Sequence, residues 1–173
     1  MIIQGLITKN RQQGFSLFEV LIALLVLSVG LLGLANLQGQ SISSSYNAHL
    51  RTQATSLAQS MVDRMRANRS HALQATNNYQ TAIDAQPPTT SVNCLTATCS
   101  EEEIALFDVR EWKCNLGLYA EETVCNGFVN QSTLPNGVGS VTAPDVTTGL
   151  TTVTVQWVDT DGEQHQVRMF TGL

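Results

Sequence analysis

The chain has 173 residues, of which 43% are hydrophobic and 13% charged, and its formal net charge is −5. This length is enough for one domain with a hydrophobic core plus an appended segment. The acidic balance argues against nucleic acid as the main ligand, because binding to phosphates draws on an excess of lysine and arginine.

The first predicted element is an apolar helix. The run from Phe15 to Ala35 is interrupted only by Ser16, Glu19, Ser28, Gly30 and Gly33. At 1.5 Å per residue, a helix of about 21 residues reaches roughly 30 Å, which is the thickness of a bilayer core. Lys9 and Arg11 are the only charges before the run. The positive-inside tendency therefore predicts a cytoplasmic segment 1–14, a membrane span 15–35 and an exported remainder.

A helical pattern continues beyond the span, over residues 36–75. Its apolar residues recur three or four positions apart and form one face: Leu50, Ala54, Leu57, Ala58, Met61 and Met65. This spacing predicts an amphipathic helix that lies on a soluble core. The simplest interpretation is one long helix from about Phe15 to about Ala72. In an alternative, Gly30, Gly33, Asn36 and Gly39 divide it into two helices.

The segment 76–173 is predicted to be globular. Residues 76–99 are polar, contain Pro87-Pro88 and predict a surface loop. Ser100 and Glu103 then form a capping signature for a short helix from about Glu101 to Leu118. We expect Ile104, Phe107 and Trp112 to be its buried side chains.

Three segments near the end are rich in Val and Thr and predict strands, at residues 137–143, 151–158 and 165–170. Asn136-Gly137 before the first and Asp161-Gly162 between the last two are turn signals. The expected fold class is therefore α+β, with the soluble half of the long helix laid across a small antiparallel sheet.

All four cysteines follow the apolar run, as expected for a domain in an oxidising compartment: Cys94, Cys99, Cys114 and Cys125. Four cysteines allow three connectivities. Proximity in sequence alone favours Cys94–Cys99 with Cys114–Cys125. Zinc binding is the competing interpretation, but the C-x4-C and C-x10-C spacings match no usual zinc finger, so we expect no metal.

The stretch around Gly14, Phe15 and Glu19 resembles the class III signal of type IV pilins and pseudopilins. The resemblance implies that a prepilin peptidase cuts after Gly14 and methylates the new N-terminal Phe15. Such a cut creates an α-amino group at the head of the helix, and a carboxylate within hydrocarbon needs a partner. We therefore predict that Glu19 pairs with the Phe15 amine of an adjacent subunit. In the alternative, Glu19 only reaches the lipid headgroups.

Three later blocks resemble PilV-type minor pilins, also called type IV pilus modification proteins. The matching positions are Asp108, Glu111 and Trp112, then Leu134, Pro135, Gly137 and Gly139, then Thr154, Val155 and Trp157. One departure is Asn36, near the position where major pilins usually have a proline.

This resemblance implies a type IV pilin-like fold and a minor pilin that is held in the inner membrane, has a periplasmic domain and then joins the pilus or its tip complex. It would support twitching motility, adhesion or DNA uptake. The implied partners are the prepilin peptidase, other minor pilins, the major pilin, the inner-membrane assembly platform and the bilayer. The alternatives are a pseudopilin of a type II secretion system and a membrane-tethered binding domain that acts alone.

Enzymatic function is not expected. The three histidines are scattered in the sequence, at His49, His71 and His165, and neither a nucleophile elbow nor a phosphate loop is present. No cofactor is therefore predicted.

The sequence DTDGE at residues 159–163 resembles part of a calcium loop, but a hairpin turn is the preferred interpretation. Arg64, Arg66 and Arg69 are interpreted as a solvated or partner-facing helix surface, and Trp112 and Trp157 as core anchors.

Overall fold

A computed structural model describes residues 14–90, 92–128, 134–145, 147–159 and 161–173 of the chain. The chain divides into two compact units, Met1–Ser44 and Ser45–Leu173. The helix α1 (Leu17–Ala67) begins in the first unit and ends in the second.

In the first unit, every described residue is exposed, although most side chains are apolar. Among the described residues, α1 is the one helix that is long and apolar enough to cross a membrane by length and composition. Its assignment is unbroken through Gly30, Gly33 and Gly39, so the structure has the long helix and not the two-helix alternative. The helix ends five residues earlier than predicted, and the short helix α2 (Arg69–Ala72) follows Asn68.

The second unit contains a three-stranded antiparallel sheet in the order β1 (Val138–Val141), β2 (Leu150–Val158), β3 (Gln164–Gly172). The alternation along β2 buries Val153, Val155 and Trp157, as expected for a strand with one face on a core. These side chains form one cluster with the apolar stripe of α1, whose buried members are Leu50, Ala54, Ala58, Met61, Val62 and Met65. The predicted α+β, type IV pilin-like layout is confirmed.

The helix α3 (Glu101–Leu116) also packs into this core. Its first turn has the predicted capping box, in which the Ser100 hydroxyl accepts from the Glu103 amide and the Glu103 carboxylate accepts from the Ser100 amide. The helix ends two residues before the predicted Leu118, because Gly117 leaves the helical conformation at φ 128°. Phe107 and Trp112 are buried as predicted, whereas Ile104 is half-buried.

The segment between α2 and α3 is not the simple surface loop that its composition predicted. It is irregular, but Tyr79 within it is fully buried and joins the core cluster. Thr81 and Val141 exchange two backbone hydrogen bonds, of 3.1 and 3.0 Å, which tie this segment to β1. A 3-10 helix, η1 (Thr123–Cys125), follows α3.

Candidate processing site and the ion-pair cluster of the globular unit

The predicted cleavage position lies immediately before α1. Gly14, Phe15 and Ser16 are exposed and non-helical, and Phe15 is 85% exposed. The Ser16 carbonyl accepts from the amides of Glu19 at 3.0 Å and Val20 at 3.3 Å, so the helical hydrogen bonds begin at once. Nothing lies within 4 Å of the position that a Cβ atom on Gly14 would take. The Gly14–Phe15 bond is therefore accessible and in the irregular conformation that proteases act on.

Glu19 lies in the first turn of α1. A negative charge is favourable there, because the unpaired amides at a helix N-terminus carry partial positive charge. Phe15 and Glu19 line one shallow groove on the helix, together with Ala23 and Leu27 at the same four-residue spacing. The Glu19 carboxylate therefore lies on the same face as the residue whose amine a cut after Gly14 would release.

In the second unit (Ser45–Leu173, from here on the globular unit), Arg64 of α1 is held by two carboxylates of α3. Its guanidinium donates to Asp108 at 2.7 Å and to Glu111 at 2.9 Å, and all three side chains are at most 26% exposed. Tyr79 donates its hydroxyl to the other oxygen of Asp108 at 2.9 Å. Burial lowers the pKa of Arg64, but these two carboxylates outweigh it and the net shift is upward. Burial, followed by the charge of Asp108, raises the pKa of Tyr79.

This ion-pair cluster (Arg64, Tyr79, Asp108 and Glu111) corrects one prediction, because Arg64 is not on a solvated surface. It also explains the D-x-x-E-W pattern. Residues three and four positions apart share one face of a helix, and this face of α3 meets α1. Next to the ion pairs, the indole nitrogen of Trp112 donates to the Leu57 carbonyl of α1 at 2.9 Å. The pattern therefore joins two helices, as the core-anchor interpretation of Trp112 requires.

We expect Arg64→Met to lower the free energy of unfolding of the globular unit by about 1–3 kcal/mol, because it leaves two half-buried carboxylates without their cation. Arg66→Met is the matched control, since Arg66 is 53% exposed and its contacts with Asp63 and Thr171 are long, at 3.5 and 3.3 Å. That change should cost less than about 0.5 kcal/mol. Denaturant unfolding of the purified chain, followed by near-UV circular dichroism, measures the free energy of unfolding of both variants. Equal losses would contradict this role for the cluster.

The glycines of the L-P-x-G-x-G block allow the close approach of α3 to β1 and to the segment before it. A Cβ atom on Gly137 would overlap the Leu116 carbonyl, and one on Gly139 would overlap the Trp112 ring. The same segment is held by hydrogen bonds from Leu118 N to the Gly137 carbonyl at 3.0 Å and from Val158 N to the Pro135 carbonyl at 3.1 Å. The three sequence blocks of the resemblance are therefore parts of one packed unit.

We expect Gly137→Ala to destabilise the globular unit by about 1–3 kcal/mol, because its methyl group would force the backbone of α3 away. Gly172→Ala is the control, since a Cβ atom there meets only the Leu150 side chain at an ordinary 3.7 Å. The comparison uses the midpoint of thermal unfolding. A Gly137→Ala protein as stable as Gly172→Ala would show that the close approach is not needed.

The structure joins Cys94 to Cys99 and Cys114 to Cys125, with Cα separations of 5.7 and 5.4 Å. The first disulfide closes a short loop before α3, and the second ties α3 to η1. No free cysteine is present among the described residues.

The described residues of the DTDGE segment, Asp159 and residues 161–163, lie between β2 and β3. One oxygen of Asp159 accepts from the amides of Asp161 and Glu163, both at 2.9 Å, and the other lies 2.8 Å from His165 Nε2. The hydrogen bond from His165, followed by those from the turn amides, lowers the pKa of Asp159. Ligand atoms of Asp159, Glu163 and His165 lie within 4.8 Å of one another, which is close enough for a cation. Both Asp159 oxygens, however, already accept hydrogen bonds within the turn.

One charged residue was missed by the sequence interpretation. Lys113 of α3 is fully buried, and its ammonium donates to the carbonyls of Ala82 at 2.6 Å and Ala85 at 2.9 Å. Burial lowers its pKa to about 8. Lys113 therefore fastens the irregular segment before α3 to that helix. The sequence did not indicate that Lys113 is buried, because its hydrogen-bond acceptors are backbone carbonyls, which residues of any type provide.

The three histidines considered as candidate catalytic residues lie in different elements of the structure, and Trp157 was predicted to be a core anchor. His49 is exposed on α1, and His71 is buried in α2, where its Nε2 accepts from the Asn78 amide at 3.2 Å. His165 contacts the Asp159 carboxylate, and its ring stacks on that of Trp157 with the two centroids 5.7 Å apart. Trp157 is buried, as predicted for a core anchor.

The fold and the leader junction together define the class of protein. A long apolar N-terminal helix followed by a small three-stranded antiparallel sheet is the layout of a type IV pilin-like protein. Two family models match adjoining segments of the chain. The prokaryotic N-terminal methylation motif matches residues 9–35, and Type IV pilin Tt1218 matches residues 36–110. These matches support a type IV pilin. No curated protein and no solved structure matches the chain significantly.

Proposed function

We propose that this chain is a minor pilin of the PilV type. A prepilin peptidase removes residues 1–14 and methylates Phe15, and residues 15–35 hold the protein in the bacterial inner membrane. The amphipathic residues 36–75 and the globular part, 76–173, then lie in the periplasm until the subunit joins a pilus or its tip complex. In this role it supports twitching motility, adhesion or DNA uptake.

The observation that carries the proposal is the leader junction. An exposed, non-helical Gly14–Phe15 bond stands directly before an apolar helix, and it falls within the match to the methylation motif. The matches name a family of structural proteins, which favours an assembly role over catalysis. The PilV assignment has the support of the interlocked sequence blocks around Trp112 and Gly137, which make up one packed unit.

Glu19 is proposed as the assembly contact. Its position in the first turn of α1 places a carboxylate at the end of the apolar helix, where an unpaired charge is costly. The amine of Phe15 on an adjacent subunit, methylated or not, is positively charged and could pair with this carboxylate. Pairing would allow both charges to stay within the packed helices of the pilus.

The alternative is a pseudopilin of a type II secretion system, which shares the leader and the helix. Deletion of the gene separates the two functions. The minor-pilin proposal expects a loss of surface pili and twitching with normal export of secreted proteins, whereas the pseudopilin alternative expects the reverse. Normal piliation and motility would contradict the proposal.

The cleavage step gives a further prediction. Gly14→Leu should block removal of the leader, although the structure has open space around Gly14 and predicts no folding defect. Gly33→Ala is the control, since it has the same open surroundings but lies in the middle of α1. Mass spectrometry of the N-terminal peptide measures the cleaved and methylated fraction. Normal processing of Gly14→Leu, or normal pili built from its uncleaved form, would be incompatible with the proposed cut.

A further inference from the structure

The strand β3 (Gln164–Gly172) is an open edge of the sheet. It pairs with β2 along its whole length, and the sheet order places it last. Within the part of the chain that the structure describes, no backbone group pairs with its outer side. The other edge differs, because β1 has only four residues and is partly covered by Thr81. A nine-residue edge is long enough to template a further strand.

Two adjoining cavities follow this edge where it faces α1. One has a volume of about 440 Å³ and lies between Asn47, Trp157 and His165; the other, of about 720 Å³, reaches Met169. Both are lined by Ala48 and Arg51 of α1. The buried Asn47 Oδ1 on the wall of the first cavity has no hydrogen-bond partner in the described structure. A strand added to β3 would direct alternate side chains toward these cavities.

The charge along this edge is opposite to that of the whole chain. Of the seven basic residues within the described ranges, four lie along β3, in a chain of net charge −5. Arg51 lines both cavities, and Arg66 donates to the Thr171 hydroxyl at 3.3 Å. Arg69 donates to the Leu173 carbonyl at 2.9 Å, and Arg168 lies within the strand itself. Among the described residues, no Asp or Glu carboxylate lies within 4.0 Å of Arg51 or Arg168.

We propose that β3 accepts an extended, acidic segment of a different polypeptide chain as a fourth strand. Backbone hydrogen bonds along the open edge would supply affinity. Carboxylates of the incoming strand opposite Arg168 and next to Arg51 would supply specificity, since side chains of paired strands lie about 5 Å apart.

A second copy of this chain fits the edge poorly. β3 contains no acidic residue. If two copies of β3 paired, the Arg168 side chains of both copies would lie at the contact with no carboxylate from either strand to neutralise them. Like charges in a strand pair are destabilising. This proposal goes beyond the proposed function and does not depend on it, because the contact can be measured whether or not pili are formed.

The test places a photoreactive benzoyl-phenylalanine at Phe170 of the full-length chain in its native host. Phe170 is 68% exposed and stands two residues from Arg168 on the strand. We expect a cross-link to one other polypeptide, and the cross-linked peptide should be an extended segment that contains Asp or Glu. Arg168→Glu should lower the cross-linking yield about three- to tenfold, whereas Arg168→Lys, which keeps the charge, should preserve most of it.

The same probe at Leu95, which is 77% exposed in the loop before α3, is the positional control and should not give this product. Arg51→Glu provides a second charge reversal on a different element and should also lower the yield. The proposal is overturned by a product formed with a second copy of this chain, by a yield at Phe170 no higher than at Leu95, or by a product that is insensitive to both charge reversals.

Discussion

Glu19→Gln should reduce incorporation of this chain into pili by roughly 100-fold. The substitution keeps the shape of the side chain and removes its charge, so the amine of a neighbouring Phe15 would remain unpaired inside the packed helices. Breaking such a pair from one side costs about 3 kcal/mol, and each 1.4 kcal/mol corresponds to a factor of ten. The measurement is the ratio of this chain in sheared pili to that in the membrane, by quantitative mass spectrometry.

Two controls separate assembly from processing and folding. Glu121→Gln removes an exposed carboxylate from the globular unit and should leave incorporation unchanged. The Glu19→Gln protein should also be cleaved after Gly14 and methylated at Phe15 to the normal extent. Incorporation at the wild-type level would favour the alternative in which Glu19 only reaches the headgroups.

Lys113→Met should lower the free energy of unfolding of the globular unit by about 2–4 kcal/mol. Methionine fills most of the volume, but it removes the ammonium group that donates to the carbonyls of Ala82 and Ala85 in the partly buried contact between α3 and the segment before it. Arg168→Met is the control for the loss of a cation at an exposed position and should change the stability by less than about 0.5 kcal/mol. Denaturant unfolding of the detergent-solubilised full chain, followed by near-UV circular dichroism, measures both changes.

The difference in stability between the wild type and Lys113→Met should depend on pH with a definite sign. Burial lowers the pKa of Lys113 to about 8 in the folded chain, whereas the unfolded chain titrates near the ordinary 10.5. Between these values the unfolded state binds more protons, so the wild type gains stability relative to Lys113→Met as the pH rises. The gain should be about 1–2 kcal/mol between pH 7.5 and 9.5. Below pH 7.5 the stability difference should be constant.

Tyr79 also titrates differently in the two states, because its pKa is raised in the folded chain. Its contribution is present in both proteins and cancels in their difference. A stability difference that stays flat from pH 7.5 to 9.5, or that shrinks, would mean that the Lys113 ammonium is not held in a buried environment.

The local patterns predicted the elements of the fold well. The three- and four-residue spacing of Leu50, Ala54 and Met61 predicted the buried face of α1, and the Val and Thr content of residues 151–158 predicted the strand β2. The capping box at Ser100 and Glu103 placed the start of α3 correctly. These features succeed because each is decided by neighbours within one or two turns of helix, or within one strand.

The contacts of Arg64, Tyr79 and Lys113 could not be predicted in the same way. Arg64 and Asp108 are 44 residues apart, and Lys113 and Ala82 are 31 apart. Nothing in the local sequence of Arg64 distinguishes it from Arg66 two positions later, yet one is in an ion-pair cluster and the other is mostly exposed. The resemblance marked Asp108 and Glu111 as a pair, but their partner became clear only from the packing of α3 on α1.

The contacts of Arg66 with Thr171 and of Arg69 with Leu173 have a consequence for biogenesis. They join residues 105 and 104 positions apart, and the apolar stripe of α1 is likewise covered by strands about 90 residues further along the chain. The helix is therefore synthesised long before the sheet that covers it. Loop closure over this distance is slow compared with the formation of a helix. The new chain therefore passes through a state in which the apolar stripe with Leu50, Met61 and Met65 is uncovered, and it leaves this state only when β2 and β3 have been synthesised and have packed on α1.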